Sequence, residues 1–145
     1  MPADNRLLKK VADIYDCLDL QICNSQPLAG RCQACGRCCD FGKSDHRLFV
    51  TTPELIYLAA NLAVKNLKPM PTGRCPYNHA DKCTVYKHRF AACRILCCSA
   101  DPDFQSRLSE SALKKLKSLC AEFQIPYRYV DLPTALNNPL AALFP

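Results

Sequence analysis

The chain has 145 residues, 49 % of them apolar and 22 % charged, which is the make-up of one ordinary globular domain with a modest core. No stretch approaches the roughly 18 apolar residues with which a helix spans a bilayer, so no membrane-spanning helix is expected. The net charge of +6 counts every thiol as neutral. A tetrathiolate metal site carries about −2, so two such sites would lower the total to roughly +2 and leave little argument for nucleic acid.

In chain order, the amino terminus lacks the apolar run and small-residue cleavage site of a signal peptide, which places the protein in the cytoplasm as an expectation. The first predicted helix covers about Asn5 to Ile22, with Leu7, Val11, Ile14, Leu18 and Ile22 on one face. A cysteine-rich loop, Arg31-Cys32-Gln33-Ala34-Cys35-Gly36-Arg37-Cys38-Cys39, follows it. The second helix begins after Thr51-Thr52-Pro53-Glu54. Thr52 can cap it with Pro53 at the first helical position, or Thr51 and Glu54 can form a capping box one residue earlier. It runs to about Asn66, before Pro69 and Pro71. Cys75 and Cys83 lie in the next loop. A third helix is predicted from about Val85 to Cys98, opened by Cys83 and carrying Cys93, Cys97 and Cys98. A fourth runs from the Asp101-Pro102 cap to about Gln124. Ile125 to Asp131 reads as a short strand or extended segment, and the apolar tail from Leu132 is expected to pack on the helices.

Cysteine is the unusual component, with twelve residues or about 8 % of the chain. In a reducing cytoplasm such clusters hold metal rather than form disulfides. Cys32 and Cys35 have the two-residue spacing that lets a tight turn aim both sulfurs at one ion, and Cys35 with Cys38 repeats it. Neighbouring side chains diverge, so the Cys38-Cys39 pair suits two adjacent sites or a polynuclear cluster. Cys75 is followed by proline, as beside iron–sulfur ligands. Cys93 and Cys97, four apart, would share a helical face. The metal-ligand candidates are therefore Cys32, Cys35, Cys38, Cys39, Cys75, Cys83, Cys93 and Cys97, enough for two tetrathiolate centres. Cys98 reads as a non-ligand, and Cys17, Cys23 and Cys120 as small buried hydrophobes. His79 could supply a zinc ligand, whereas His46 and His88 read as surface or hydrogen-bonding residues. Arg89 and Arg94 could donate to thiolates, pair with Glu54, or remain solvated.

Cys32-x-x-Cys35-x-x-Cys38-Cys39, Thr52-x-Glu54, Cys75-Pro76, Cys83-Thr84-Val85-Tyr86-x-x-Arg89 and Cys93-Arg94 together resemble the bacterial zinc- or iron-chelating cysteine-cluster family, also called CxxCxxCC or YkgJ-type. The resemblance covers about residues 31–95. It implies metal ligation by Cys32, Cys35, Cys38, Cys39, Cys75, Cys83 and Cys93. A similar cluster in flagellin lysine N-methylases is associated with an iron–sulfur centre. Phe90 stands where the family usually has proline. Cys97 lies beyond the motif, so its place in the ligand set rests on its spacing from Cys93.

The expectation is a mainly α protein, a single small helical domain spanning 1–145. Its metal-binding cysteine-rich loops lie between helices, with the metal core at about 31–98. Its cofactor is an iron–sulfur cluster, with one or two zinc ions as the alternative. No catalytic residue stands out: there is no glycine-rich cofactor loop, nucleophile motif or acid–base set. An enzyme or accessory subunit using the cluster for redox or methyl-transfer chemistry is the first alternative. A zinc-stabilised interaction or nucleic-acid module is the second, with Lys114-Lys115-x-Lys117 as its thin basic stripe. Beyond the metal ion no partner is specified, and neither a membrane nor nucleic acid is expected.

Overall fold

A computed structural model of the chain describes residues 4–26, 28–30, 48–62, 67–80, 82–96 and 100–138. The protein is mainly helical. Its described elements are α1 (Asn5–Asn24), β1 (Phe49–Thr51), α2 (Thr52–Leu62), β2 (Asn78–His79), β3 (Lys82–Cys83), α3 (Ala91–Ile95), α4 (Pro102–Glu122), β4 (Tyr129–Asp131) and α5 (Leu132–Asn137), with a 3-10 turn at Tyr86–His88. No helix among the described residues is long and apolar enough to cross a membrane.

The two long helices start and stop where their sequences dictate. The Asp4 carboxylate accepts the Arg6 amide at 2.8 Å, and that of Asp101 accepts the Phe104 amide at 2.9 Å, each satisfying an otherwise orphaned donor. At the end of α4, Gln124 turns to φ 55° and the Ile125 amide reaches back to the Cys120 carbonyl at 2.9 Å. This is a Schellman closure, with glutamine in the left-handed position that glycine usually takes. α1 buries Leu7, Val11, Ile14, Tyr15 and Leu18. These meet Ala91, Ile95, Leu108, Ala112, Leu116 and Leu119 in the first of two core clusters.

The second cluster joins β1, α2 and α5 through Leu48, Val50, Leu55, Leu58, Leu132, Ala135 and Leu136, with Met70, Tyr77 and Phe90 from the connections. β1 and β4 pair antiparallel, Val50 opposite Val130. Of the two readings of the α2 start, the earlier holds. Glu54 accepts the Thr51 amide at 3.0 Å, while the Thr52 hydroxyl is diverted to the Arg128 amide at 2.9 Å, prolonging the sheet contact. α5 forms the start of the apolar tail, capped by Asp131 on the Thr134 amide at 3.0 Å. Its Asn137 side chain takes both the amide and the carbonyl of Met70, at 2.7 and 3.1 Å, as a strand would.

The third helix departs from expectation. Instead of one helix from Val85 to Cys98, the chain forms β3, the 3-10 turn, an extended Arg89-Phe90 pair and the five-residue α3. Leu96 is again extended, ending the helix before Cys97. In a continuous helix the Ala91 amide would bond to the Lys87 carbonyl. Here Glu54 takes the amide at 2.6 Å, and the Arg94 guanidinium takes the carbonyl at 2.8 Å. The break also lets Phe90 enter the second cluster while Ala91 and Ile95 enter the first.

Candidate metal centre

Of the eight ligand candidates, Cys75, Cys83 and Cys93 fall within the described residues. Cys32, Cys35, Cys38, Cys39 and Cys97 lie outside them, as do Cys98 and His46.

Cys75 opens a tight turn with Pro76 at its second position, closed by the Asn78 amide on the Cys75 carbonyl at 3.1 Å. Asn78 then pairs with Cys83 across the β2–β3 hairpin, and His79 with Lys82. The two cysteines therefore flank the same residue, one through a turn and one across a ladder. Cys83 thus belongs to a hairpin strand and does not open a helix. Ala80, at φ 51°, leaves β2 in the left-handed conformation that suits a tight hairpin.

The hairpin is anchored by Tyr77, which is buried between the two cysteines in sequence. Its carbonyl accepts both the Thr84 amide at 2.8 Å and the Thr84 hydroxyl at 2.7 Å, and its phenol accepts the Lys68 amide at 2.9 Å. Burial raises the phenol above its ordinary pKa, so it stays protonated. His79 alternates to the face opposite Cys83 and is exposed, which argues against the two sharing an ion.

Cys93 comes from α3, and like Cys75 it is half-buried and packs on the second core cluster. The arginines beside it do not pair with Glu54. The Arg94 side chain is only 6 % exposed, lies 4.2 Å over the Tyr15 ring and reaches Asp19 at 2.7 Å. It also donates to the Arg89 and Lys87 carbonyls at 2.9 and 2.8 Å. Arg89 stacks 3.7 Å over Tyr86 and donates to the carbonyls of Tyr86 and Cys93 at 3.0 and 3.3 Å. Both guanidiniums therefore serve the backbone around α3.

Glu54 is the residue whose role the sequence understated. It is 2 % exposed and accepts from Thr51, Tyr15 and Ala91. Burial raises its carboxyl above the ordinary range, against the pull of the Ala91 and Thr51 amides and the Thr51 and Tyr15 hydroxyls. Thr51-x-x-Glu54 was the available signal, but it foretold only the bond to Thr51.

His88 is half-buried and its Nδ1 is not hydrogen-bonded among the described residues. The ring packs edge-on to Tyr57 with centroids 5.7 Å apart, and its buried Nδ1 has no hydrogen-bond partner among the described residues. Burial, then the Arg94 and Lys87 cations, lower its pKa and favour the neutral ring. Cys120 is buried in α4, as expected, and burial raises its thiol. Cys23 is exposed, while Cys17 is half-buried and receives Gln21 at 3.1 Å and Lys115 at 3.7 Å, so neither is a plain core residue. In the basic stripe Lys115 thus faces a thiol, and Lys117 sits over Tyr127 at 5.6 Å.

Among the described residues no three histidine, cysteine, aspartate or glutamate side chains converge as a metal site would require. What the described residues supply is a thiol on each of three segments whose backbones are held by tertiary contacts. Sulfur donors of this kind suit a thiophilic ion or cluster. No family model matches the chain, and neither a curated protein nor a solved structure matches it significantly.

Proposed function

We propose that the chain is a cytoplasmic metal-binding protein of the YkgJ type, holding its metal through thiolates of Cys32, Cys35, Cys38, Cys39, Cys75, Cys83, Cys93 and Cys97. The observation that carries this reading is the concentration of four cysteines within eight residues at chelating spacing. The half-buried positions of Cys75, Cys83 and Cys93 agree with it, since ligands partly withdrawn from water gain both affinity and protection from oxidation. An iron–sulfur cluster is favoured over zinc by the all-cysteine donor set, the adjacent Cys38-Cys39 pair and Cys75-Pro76. Bound iron and sulfide would give the protein a redox-active centre, and zinc a structural one.

Anaerobic purification followed by elemental analysis and an absorption spectrum tests the reading. Iron and acid-labile sulfide, with broad sulfur-to-iron absorption that bleaches in air, are expected. A colourless protein retaining only zinc after reconstitution with iron and sulfide would establish the alternative metal. A reduced protein that takes up neither would refute metal binding.

A further inference from the structure

The α3 segment that carries Cys93 has only five residues, too few to hold a helix by its own hydrogen bonds. It is held from outside. At its start the Ala91 amide, an orphan donor, is taken by Glu54 Oε1 at 2.6 Å. At its far end Arg89 holds the Cys93 carbonyl at 3.3 Å, and Arg94 ties α3 to Asp19 of α1 at 2.7 Å.

Glu54 also accepts the Tyr15 hydroxyl at 3.3 Å on Oε1, and the Thr51 amide and hydroxyl at 3.0 and 2.9 Å on Oε2. These four donors come from α1, the end of β1 and α3, and they occupy both oxygens of an acceptor-only group. A fully buried carboxylate is a costly way to join three elements, since apolar side chains pack at less expense. Its particular contribution is to fix one backbone amide in place, two residues before Cys93.

We infer that Glu54 is a positioning residue for metal binding, which holds the start of α3 so that the Cys93 thiolate is presented in one place. The inference rests on the reading that Cys93 is a ligand. It separates the function of Glu54 from the capping of α2, for which the Thr51 contacts alone suffice.

Glu54→Gln keeps the size and shape of the side chain but sets an NH2 group against either the Ala91 or the Thr51 amide. The probe is cobalt(II), titrated anaerobically into reduced protein and followed by thiolate-to-metal absorption, together with its rate of loss to a chelator. Outer-shell partners of metal ligands typically alter affinity by about 10–100-fold, and a loss in that range with faster release is expected for Glu54→Gln. Tyr15→Phe removes one donor and leaves the Ala91 contact, so affinity should fall in the same direction by about threefold. Asp4→Ala removes the cap of α1, at the end of that helix opposite the Asp19 contact with α3, and controls for lost stability. It should keep cobalt(II) affinity close to the unmodified protein. Unchanged affinity in both Glu54→Gln and Tyr15→Phe, or equal weakening by Asp4→Ala, would overturn the positioning role. Failure of the unmodified chain to bind cobalt(II) would instead remove the metal reading, and this inference with it.

Discussion

Replacing Arg94 with lysine keeps its charge and removes its fork, and so separates two explanations of its nearly complete burial. The first is the ion pair with Asp19. That carboxylate is 48 % exposed, so the pair contributes at most about 1 kcal/mol. The second is the set of backbone and ring contacts: two carbonyls at 2.9 and 2.8 Å and the Tyr15 face at 4.2 Å. A lysine ammonium cannot span both carbonyls and the ring. A part-buried carbonyl losing a charged donor costs about 1.5–3 kcal/mol, and the lost stacking adds about 1. The Lys87 carbonyl lies nearer solvent and regains water, so it adds little. Arg94→Lys should therefore cost about 2.5–4 kcal/mol, and Asp19→Asn under about 1. At about 4 °C per kcal/mol for a chain of this length, these correspond to falls of about 10–16 °C and under about 4 °C in Tm. Thermal unfolding by circular dichroism, under anaerobic reducing conditions, measures both. A cost for Asp19→Asn equal to or above that of Arg94→Lys would mean that the ion pair, not the capture of backbone carbonyls, accounts for the burial of Arg94.

Gln124 occupies a left-handed position that glycine adopts without strain, so Gln124→Gly should raise stability by about 0.5–1 kcal/mol in urea unfolding, and Gln124→Val should lower it. His88 is held neutral in the folded protein, so the unfolded chain takes up its proton first as the pH falls. Its contribution to stability is intact above about pH 6.5 and declines as the pH drops through the lowered folded value. His88→Phe, which keeps the edge contact with Tyr57, should flatten the dependence of Tm on pH just below 6.5, and an unchanged slope would show that His88 is not its source. Removal of metal by chelation should strip hydrogen-exchange protection from amides of residues 75–90, which pack on the second core cluster with Cys75 and Cys93, while those of α1 and α4 keep theirs, because the first core cluster contains no cysteine among the described residues.

Much of the helical frame was legible in the chain because its signals are local. The Asp101 cap, the apolar face from Leu7 to Leu18 and the Thr51-x-x-Glu54 box act within a few residues, and the structure uses each of them. Tyr15 was missed on that face because its polar tip disguises a ring that is 2 % exposed and whose hydroxyl is spent on Glu54. The third helix was misread for a different reason. Residues 85–98 have acceptable helix formers, but the decisive contact, Glu54 on the Ala91 amide, comes from 37 positions away. No window along the chain contains it. Placing Cys83 in the hairpin likewise required the Asn78 pairing and the left-handed Ala80, a conformation its residue type does not advertise. The spacing of Cys93 and Cys97 lost its helical meaning with the extended Leu96. The remaining candidates, from Cys32 to Cys39, lie outside the described residues, and their reading rests on spacing.

Metal content per chain, compared between the unmodified protein, Cys35→Ser and Cys120→Ser purified anaerobically in parallel, tests thiolate metal binding most directly. Cys35 belongs to the proposed ligand set between Cys32 and Cys39, and serine offers a hard, poorly ionised hydroxyl in place of a soft thiolate. Cys120 is buried in α4 with the thiol form favoured. Stoichiometric metal in the unmodified protein, a loss of about one whole site in Cys35→Ser and full loading of Cys120→Ser are expected. Absence of metal from the unmodified chain, or a loss in Cys120→Ser equal to that in Cys35→Ser, would contradict it.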